Sequence, residues 1–212
     1  MSSLSRIAKQ VIQTAKSLKV VRVSTQAKWD ALLASRPSYT LFDNPPNHPY
    51  TALVQSAEQL ENHFDKIIAA LLDLEIGSGT LREELDKIQA FRMYDEVELD
   101  SDVERLRWMA SDDTTSMTAK TLADDTMALY HTSVMLSDAV KLKRIKDELA
   151  EMHRKKLIVN HIEKPFLNIS PECRSAVKEA KSLCKLLVAL TIDGVRVASQ
   201  VDASRAPKFL KL

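Results

Sequence analysis

A run of apolar residues between residues 51 and 91 constrains the fold of this chain more than any other feature. Its members alternate at spacings of four and three residues, which is the heptad pattern of a helix that buries one stripe. These members are Leu53, Ala57, Leu60, Phe64, Ile67, Leu71 and Leu74. The pattern predicts a long helix whose apolar side packs against other helices.

The seam stops at residues 76–79, where two of the three glycines of the chain stand. Thr80 and Glu83 then have the spacing of a capping box, in which each side chain bonds the backbone N–H of the other residue. A second apolar run follows at Leu81, Leu85, Ile88 and Phe91. Together these features predict two helices joined in a hairpin, with glycine at the bend.

The first 29 residues carry six Lys or Arg and no Asp or Glu. At about 100° per residue, the apolar residues Leu4, Ile7, Ala8, Val11, Ala15 and Leu18 fall on one side of a helix, and Arg6, Lys9 and Lys16 fall opposite. Three interpretations stay open: a helix packed on the protein's own bundle, a mitochondrial targeting segment, and an anchor of residues 4–19 on a membrane surface. Residues 24–34 predict a further short helix, capped by Ser24 or Thr25.

Four prolines within residues 36–50 exclude a continuous helix, because proline lacks the amide donor and clashes with the preceding turn. The segment also carries apolar side chains, namely Tyr39, Leu41, Phe42 and Tyr50. We predict a Pro-rich connector that either packs on the protein's own bundle or serves as an arm that binds a partner.

Two later stretches carry opposite charge. Residues 95–104 hold six acids and no base, whereas residues 141–156 hold seven bases and three acids. Ser101 and Glu104 have the spacing of another capping box, which favours a helix over a strand in the acidic stretch. Opposite charge favours antiparallel pairing of helices. It sets register more than stability, because exposed ion pairs contribute only about 0 to 1 kcal/mol each.

A further helix is predicted from about Met117 to Leu157. Its seam again alternates between spacings of four and three residues, and it consists of Leu122, Thr126, Leu129, Ser133, Leu136 and Val140. The small side chains of Thr126 and Ser133 permit a close approach of the neighbouring helix. A second phase of apolar residues begins at Leu142, which indicates a bend or a change of neighbours.

The last helix is predicted to begin at Ser170 and Pro171, a serine cap followed by proline at the first helical position. Its apolar residues are Val177, Ala180, Cys184, Leu187, Val188, Thr191, Val195 and Ala198. Its most apolar stretch, residues 183–192, is too short for a bilayer, which needs ~20 residues. Cys173 and Cys184 stand about 16 Å apart on this helix, too far for a disulfide. Free thiols favour the cytosol, the nucleus or the mitochondrial matrix over secretion.

Catalytic patterns are missing from the sequence. No histidine pair has the helical spacing of a zinc site, and neither a phosphate loop nor a nucleophile elbow occurs. Asp100, Asp102 and Glu104 are spaced like calcium ligands, but the glycine that such loops require is missing. Beyond residue 29 the chain has 24 bases and 29 acids, which disfavours phosphate binding. We therefore predict no enzyme, no metal and no cofactor, with nucleic acid an unfavoured partner.

The sequence predicts an all-α fold, namely an elongated helical bundle or coiled coil of about five helices with a Pro-rich connector at 36–50. Residues 1–35 form a basic amphipathic helical segment, residues 51–204 the bundle and residues 205–212 a basic tail. One hairpin cannot cover every apolar face of this chain, so other helices must do so.

We expect a structural or adaptor subunit of a larger assembly, whose partners are other protein chains. The alternative is a helical protein anchored on a membrane surface. The basic amphipathic segment favours a mitochondrial location, with the cytoplasm as the other possibility and secretion excluded. The predicted interaction residues are Leu53, Leu60, Phe64, Ile67, Leu71, Leu74, Leu122, Leu129, Leu136, Lys143, Arg144 and Lys146.

Overall fold

A computed structural model describes residues 3–34, 49–92, 117–136, 138, 147, 150–151, 154 and 170–208. The helices of this part are α1 Ser3–Ala34, α2 Pro49–Leu71, α3 Leu81–Arg92, α4 Ala119–Leu136 and α5 Ser170–Leu187. Two antiparallel ribbons pair β1 Glu75–Ile76 with β2 Gly79–Thr80, and β3 Thr191–Ile192 with β4 Val195–Arg196. A 3-10 helix follows at Val197–Gln200. The predicted all-α helical bundle is confirmed.

The chain divides into two compact units. The first unit is built from the described residues of Met1–Ala15, Asn62–His131 and Glu179–Leu212, and the second from those of Lys16–Glu61 and Thr132–Lys178. The helices α1, α2, α4 and α5 each contribute residues to both units, and both ribbons belong to the first unit.

The predicted seam of α2 is confirmed from Leu53 to Leu71, where every seam residue is buried. Val54, Ile68 and Leu72 are buried beside it, which widens the apolar stripe beyond a coiled-coil seam to the width of a globular helix. The helix ends at Leu71, however, so Leu74 lies beyond it and is only half-buried. The prediction that Leu74 continues the helical seam is therefore wrong.

The predicted bend between α2 and α3 is a β-ribbon. Gly77 has a φ of 71°, and a two-residue hairpin loop requires a positive φ at its first position in the type II′ turn. A Cβ atom on Gly79 would lie 3.6 Å from Leu4 Cδ2, so β2 lies against the start of α1. The capping box is confirmed: the Glu83 amide donates to Thr80 Oγ1, and the Thr80 amide donates to Glu83 Oε2, both at 3.3 Å.

α1 is one continuous helix of 32 residues, and the prediction of a separate helix beginning at Ser24 or Thr25 is wrong. The Thr25 hydroxyl donates to the carbonyl oxygen of Val21 at 2.7 Å, a bond within the helix that removes it from any capping role. The apolar side of α1 is buried, and it includes Leu4, Ile7, Ala8, Val11, Ile12, Leu18, Val21 and Trp29.

The α4 seam is confirmed from Leu122 to Leu136, whose five seam residues are fully buried. α4 ends at Leu136 and Asp138 is not helical, so an uninterrupted helix to Leu157 is wrong at this point. Asp138 favours a break, because its short polar side chain competes for backbone hydrogen bonds. Residues 147, 150–151 and 154 are again helical.

The last helix ends at Leu187, and the prediction that its seam continues to Ala198 is wrong. Residues 191–196 form the second ribbon instead. Asp193 and Gly194 form its loop with φ values of 50° and 77°, and a type I′ hairpin turn requires positive φ at both positions. An Asp-Gly pair between alternating apolar residues is the sequence signal for such a hairpin.

Several predictions lie outside the described residues. They concern the connector up to residue 48, the acidic stretch 95–104 with its Ser101–Glu104 capping box, and Val140 with the basic residues Lys143, Arg144 and Lys146.

The second part of the chain repeats the first, because α1, α2, β1 and β2 recur in the same order as α4, α5, β3 and β4. Both pairs of the first ribbon recur in the second ribbon 116 residues later. Two backbone hydrogen bonds recur with the same shift: Leu74 N to Leu71 O as Leu190 N to Leu187 O, and Arg82 N to Leu72 O as Ala198 N to Val188 O.

Buried positions follow the same register, with a shift of 116 residues between α2 and α5 and of 115 between α1 and α4. The matched buried pairs include Leu4 with Ala119, Ile7 with Leu122, Val11 with Thr126, Leu18 with Ser133, Leu60 with Ala176, Phe64 with Ala180, and Leu71 with Leu187. We call residues 3–92 the first repeat and residues 117–208 the second repeat.

Matched residues also connect the two repeats within the first unit. Gln10 of α1 and Asp125 of α4 stand 115 residues apart, at equivalent positions. Gln10 Nε2 donates to Glu179 Oε2 of α5 at 2.8 Å, and Lys66 Nζ of α2 donates to Asp125 Oδ1 at 3.2 Å. In each case the first helix of one repeat contacts the second helix of the other.

Candidate functional site

The predicted interaction residues on α2 and α4 lie in the core of this chain. All of them except the half-buried Leu74 are buried: Leu53, Leu60, Phe64, Ile67, Leu71, Leu122, Leu129 and Leu136. Their burial is provided by this chain itself. A surface for another chain must therefore be sought among exposed side chains.

Among the described residues of the second unit, four large apolar side chains are exposed to solvent. Val20 and Val23 of α1 are 54% and 52% exposed, and Val134 and Met135 of α4 are 38% and 57% exposed. Val20 and Met135 stand at matched positions of the two repeats, 115 residues apart. Single exposed apolar residues are ordinary, but Val20 and Val23 are neighbours on one helix face at the i,i+3 spacing.

Basic residues surround the two exposed valines of α1. Lys16 precedes Val20 by one helical turn, and Lys19 and Arg22 directly precede the two valines in the chain. Arg22 is held in place, because its Nε lies 2.7 Å from Oε2 of Glu61, whose side chain is only 10% exposed. We call Lys16, Lys19, Val20, Arg22 and Val23 the α1 stripe.

Positive charge extends from α1 to the neighbouring segment of α5 in the second unit. Ser24 Oγ donates to Glu172 Oε1 at 3.4 Å, which places these segments side by side. Arg174 and Lys178 of α5 are exposed. Residues 16–34 carry four bases and one acid, residues 170–178 two bases and one acid, and residues 49–61 no base and two acids. Among these three helical segments, the positive charge lies on α1 and α5.

The two cysteines are unsuited to nucleophilic chemistry. Both Cys173 and Cys184 are free thiols and both are buried, which confirms that they form no disulfide. Burial raises the pKa of the Cys184 thiol to about 12, and its Sγ donates to the carbonyl oxygen of Thr126 at 3.6 Å. Since the thiolate is the reactive form, Cys184 is an inert core residue at neutral pH.

The described residues contain neither a metal site nor a membrane-spanning helix. Within the described part of the chain, no group of three or more His, Cys, Asp or Glu side chains is placed to hold a metal ion. Among the helices of that same part, none has the length and apolarity needed to cross a bilayer.

The fold and its exposed residues define a helical protein with an apolar and basic surface stripe. Comparison of the chain with known protein families, with curated proteins and with solved structures finds no match.

The α1 stripe was missed by the sequence analysis for a specific reason. The apolar and polar sides of α1 were assigned only up to residue 18, and Val20 and Val23 fall on the polar side when the same 100° rotation is continued. The sequence signal for this surface was a pair of apolar residues on the side of α1 that is otherwise polar.

Proposed function

We propose that this protein is a structural or adaptor subunit that binds another protein chain through helix–helix contacts on the α1 stripe. The exposure of Val20 and Val23 carries this proposal, because both side chains remain more than half exposed while the opposite side of α1 is buried in the core. A partner helix that covers them would remove apolar surface from water, at about 25 cal/mol per Å².

The surroundings of the valines suit such a contact. α1 is a long helix anchored by buried side chains along its length, and Arg22 is fixed by Glu61 at 2.7 Å. A rigid helix face loses little conformational entropy on binding, which favours association. Its partner would occupy the face at the i,i+3 spacing that helix-in-groove contacts use.

The proposal is tested by the double variant Val20→Asp, Val23→Asp in the full chain. We expect helical circular dichroism and the unfolding midpoint to stay close to those of the wild type, because both side chains are exposed. We expect chains that co-purify with the wild type to be lost. Gln13→Asp is the matched control, since Gln13 is also exposed on α1. Equal recovery of partners by the double variant and the wild type contradicts the proposal.

Anchoring on a membrane surface by residues 4–19 is the competing proposal. It requires the apolar side of α1 to reach lipid, but Leu4, Ile7, Val11 and Leu18 are buried in the protein core. α1 would have to leave that core before it could insert. Co-sedimentation with anionic liposomes separates the two proposals: pelleting of the wild type that persists in the Val20→Asp, Val23→Asp variant would favour the membrane.

A mitochondrial location stays a prediction from the basic, acid-free start of the sequence. The burial of Leu4 and Ile7 supports a form of the protein that keeps this segment, because its removal would expose the core side chains that α1 covers. Fusion of residues 1–22 to a fluorescent reporter tests targeting directly, with Arg6→Glu and Lys9→Glu as the variant that should abolish it.

A further inference from the structure

We propose that the partner of the α1 stripe is an acidic amphipathic helix, with an apolar stripe that covers Val20 and Val23 and carboxylates beside it that face Lys16 and Lys19. This inference rests on the proposed function and adds the chemistry of the partner.

The first argument is the combination of exposed apolar and basic residues at one place. Val20 and Val23 are each more than half exposed, and Lys16 and Lys19 are partly exposed beside them. A nucleic acid backbone would pair with the lysines but would leave the valines without an apolar contact. A helix with an apolar stripe flanked by Asp or Glu satisfies both parts of the surface.

The second argument is the distribution of charge among the segments of α1, α2 and α5 that belong to the second unit. Residues 16–34 and 170–178 together carry six bases and two acids, whereas residues 49–61 carry two acids and no base. Ser24 and Glu172 join the two basic segments, so the positive field of α5 adds to that of α1. Complementary charge steers association and rejects partners of the wrong sign, which favours an acidic helix over a basic one.

The third argument comes from the second repeat. The positions that match Lys16, Lys19, Val20 and Val23 hold His131, Val134, Met135 and Asp138. Both repeats therefore keep an exposed apolar residue at the position of Val20, but only the first repeat surrounds it with lysines. The charge is a property of one surface and not of the repeated fold.

Fluorescence anisotropy with the full chain and two synthetic helical peptides tests the inference. Both peptides have the same leucine stripe, flanked by Glu in one and by Lys in the other. We expect the acidic peptide to bind at least about tenfold more tightly than the basic peptide, because like charges oppose association. We expect this preference to shrink when salt rises from about 0.05 to 0.5 M, because exposed charges are screened.

Substitutions assign the binding to the α1 stripe. Lys16→Glu with Lys19→Glu should weaken binding of the acidic peptide at least about tenfold and improve binding of the basic one. Lys120→Glu with Lys208→Glu is the control of equal charge change, since both lysines are exposed in the first unit. Val20→Asp should weaken binding of the acidic peptide, whereas Met135→Asp, at the matched position of the second repeat, should leave it unchanged.

The outcomes separate this inference from the proposed function. Equal binding of both peptides, lost on Val20→Asp, overturns the acidic partner and leaves the helix-binding function in place. Binding of neither peptide, together with wild-type recovery of partners by Val20→Asp, Val23→Asp, overturns both. Tighter binding of a DNA duplex or of anionic vesicles than of the acidic peptide, dependent on Lys16 and Lys19, also overturns the inference, because the surface would then select negative charge alone.

Discussion

Thr126 is a polar residue in the otherwise largely apolar, buried seam of α4. Its hydroxyl is buried in the α4 seam without a hydrogen-bond partner, and the matched residue of the first repeat is Val11. A buried hydroxyl without a partner costs about 1 to 3 kcal/mol. The position is thus built for an apolar side chain of the same shape.

We predict that Thr126→Val stabilises the protein by about 1 kcal/mol, because valine fills the same volume without burying a polar atom. Thr14→Val is the matched control. Thr14 is also fully buried, but its hydroxyl donates to the carbonyl oxygen of Glu179 at 3.3 Å, so its loss should destabilise. Chemical denaturation measures both variants, and a lower unfolding midpoint for Thr126→Val would contradict the prediction.

At the scale of elements, the two ribbons follow α2 and α5 with the same backbone hydrogen bonds, but the side chains around them differ. Beside the first ribbon, Arg82 of α3 donates to both carboxylate oxygens of Asp73 at 2.6 and 3.0 Å. The matched residues beside the second ribbon are Ala189 and Ala198. The second ribbon forms without this ion pair, so the backbone hydrogen bonds suffice for the ribbon and the ion pair adds to them.

We predict that Asp73→Asn lowers the free energy of unfolding by less than about 1 kcal/mol at pH 7, as is usual for exposed ion pairs. Hydrogen bonds from Arg82 hold the pKa of the Asp73 carboxyl below its ordinary 3.8. The pair therefore stabilises the fold above pH 3.8, and its contribution is lost as the pH falls through the lowered pKa. Denaturation over a series of pH values should show a difference from the wild type at pH 7 that shrinks as the pH falls below 3.8.

The helices were predictable because their period repeats over many residues. Leu53 to Leu71 and Leu122 to Leu136 each span several turns, and the Thr80–Glu83 box depends only on the first turn of α3. The ribbons were not predicted, because strands of two residues are too short for a clear alternation and their local signals are single turns: Gly77 in the first ribbon and the Asp193-Gly194 pair in the second. In the candidate site, neighbouring charges were visible in the sequence, but the exposure of Val20 and Val23 depends on which side of α1 packs.

At the scale of the whole molecule, the repeat was hidden because matched positions keep their burial but not their residue type. Phe64 is matched by Ala180, and Leu18 by Ser133, although all four are buried. A difference of this size at one position requires compensation by neighbouring side chains, because protein cores are close-packed. Register and backbone hydrogen bonds are what the two repeats share.

We predict that Leu71→Ala and Leu187→Ala, at matched and fully buried positions, each destabilise the protein by about 2 to 5 kcal/mol through lost burial and a residual cavity. Val20→Ala, at an exposed position, should stay within about 0.5 kcal/mol of the wild type. Thermal and chemical unfolding measure all three variants. A wild-type melting curve for Leu187→Ala, beside a destabilised Leu71→Ala, would contradict the equivalence of the repeats.

The hydrogen bonds that link the repeats, from Gln10 to Glu179 and from Lys66 to Asp125, join partners that are carried on one polypeptide. Their encounter is governed by an effective concentration set by the chain between them, so dilution does not separate them as it would separate two identical subunits. Two identical subunits would also share every substitution. Here a change at Val20 leaves Met135 unaltered, so one surface can acquire its own specificity while the packing of the other stays intact.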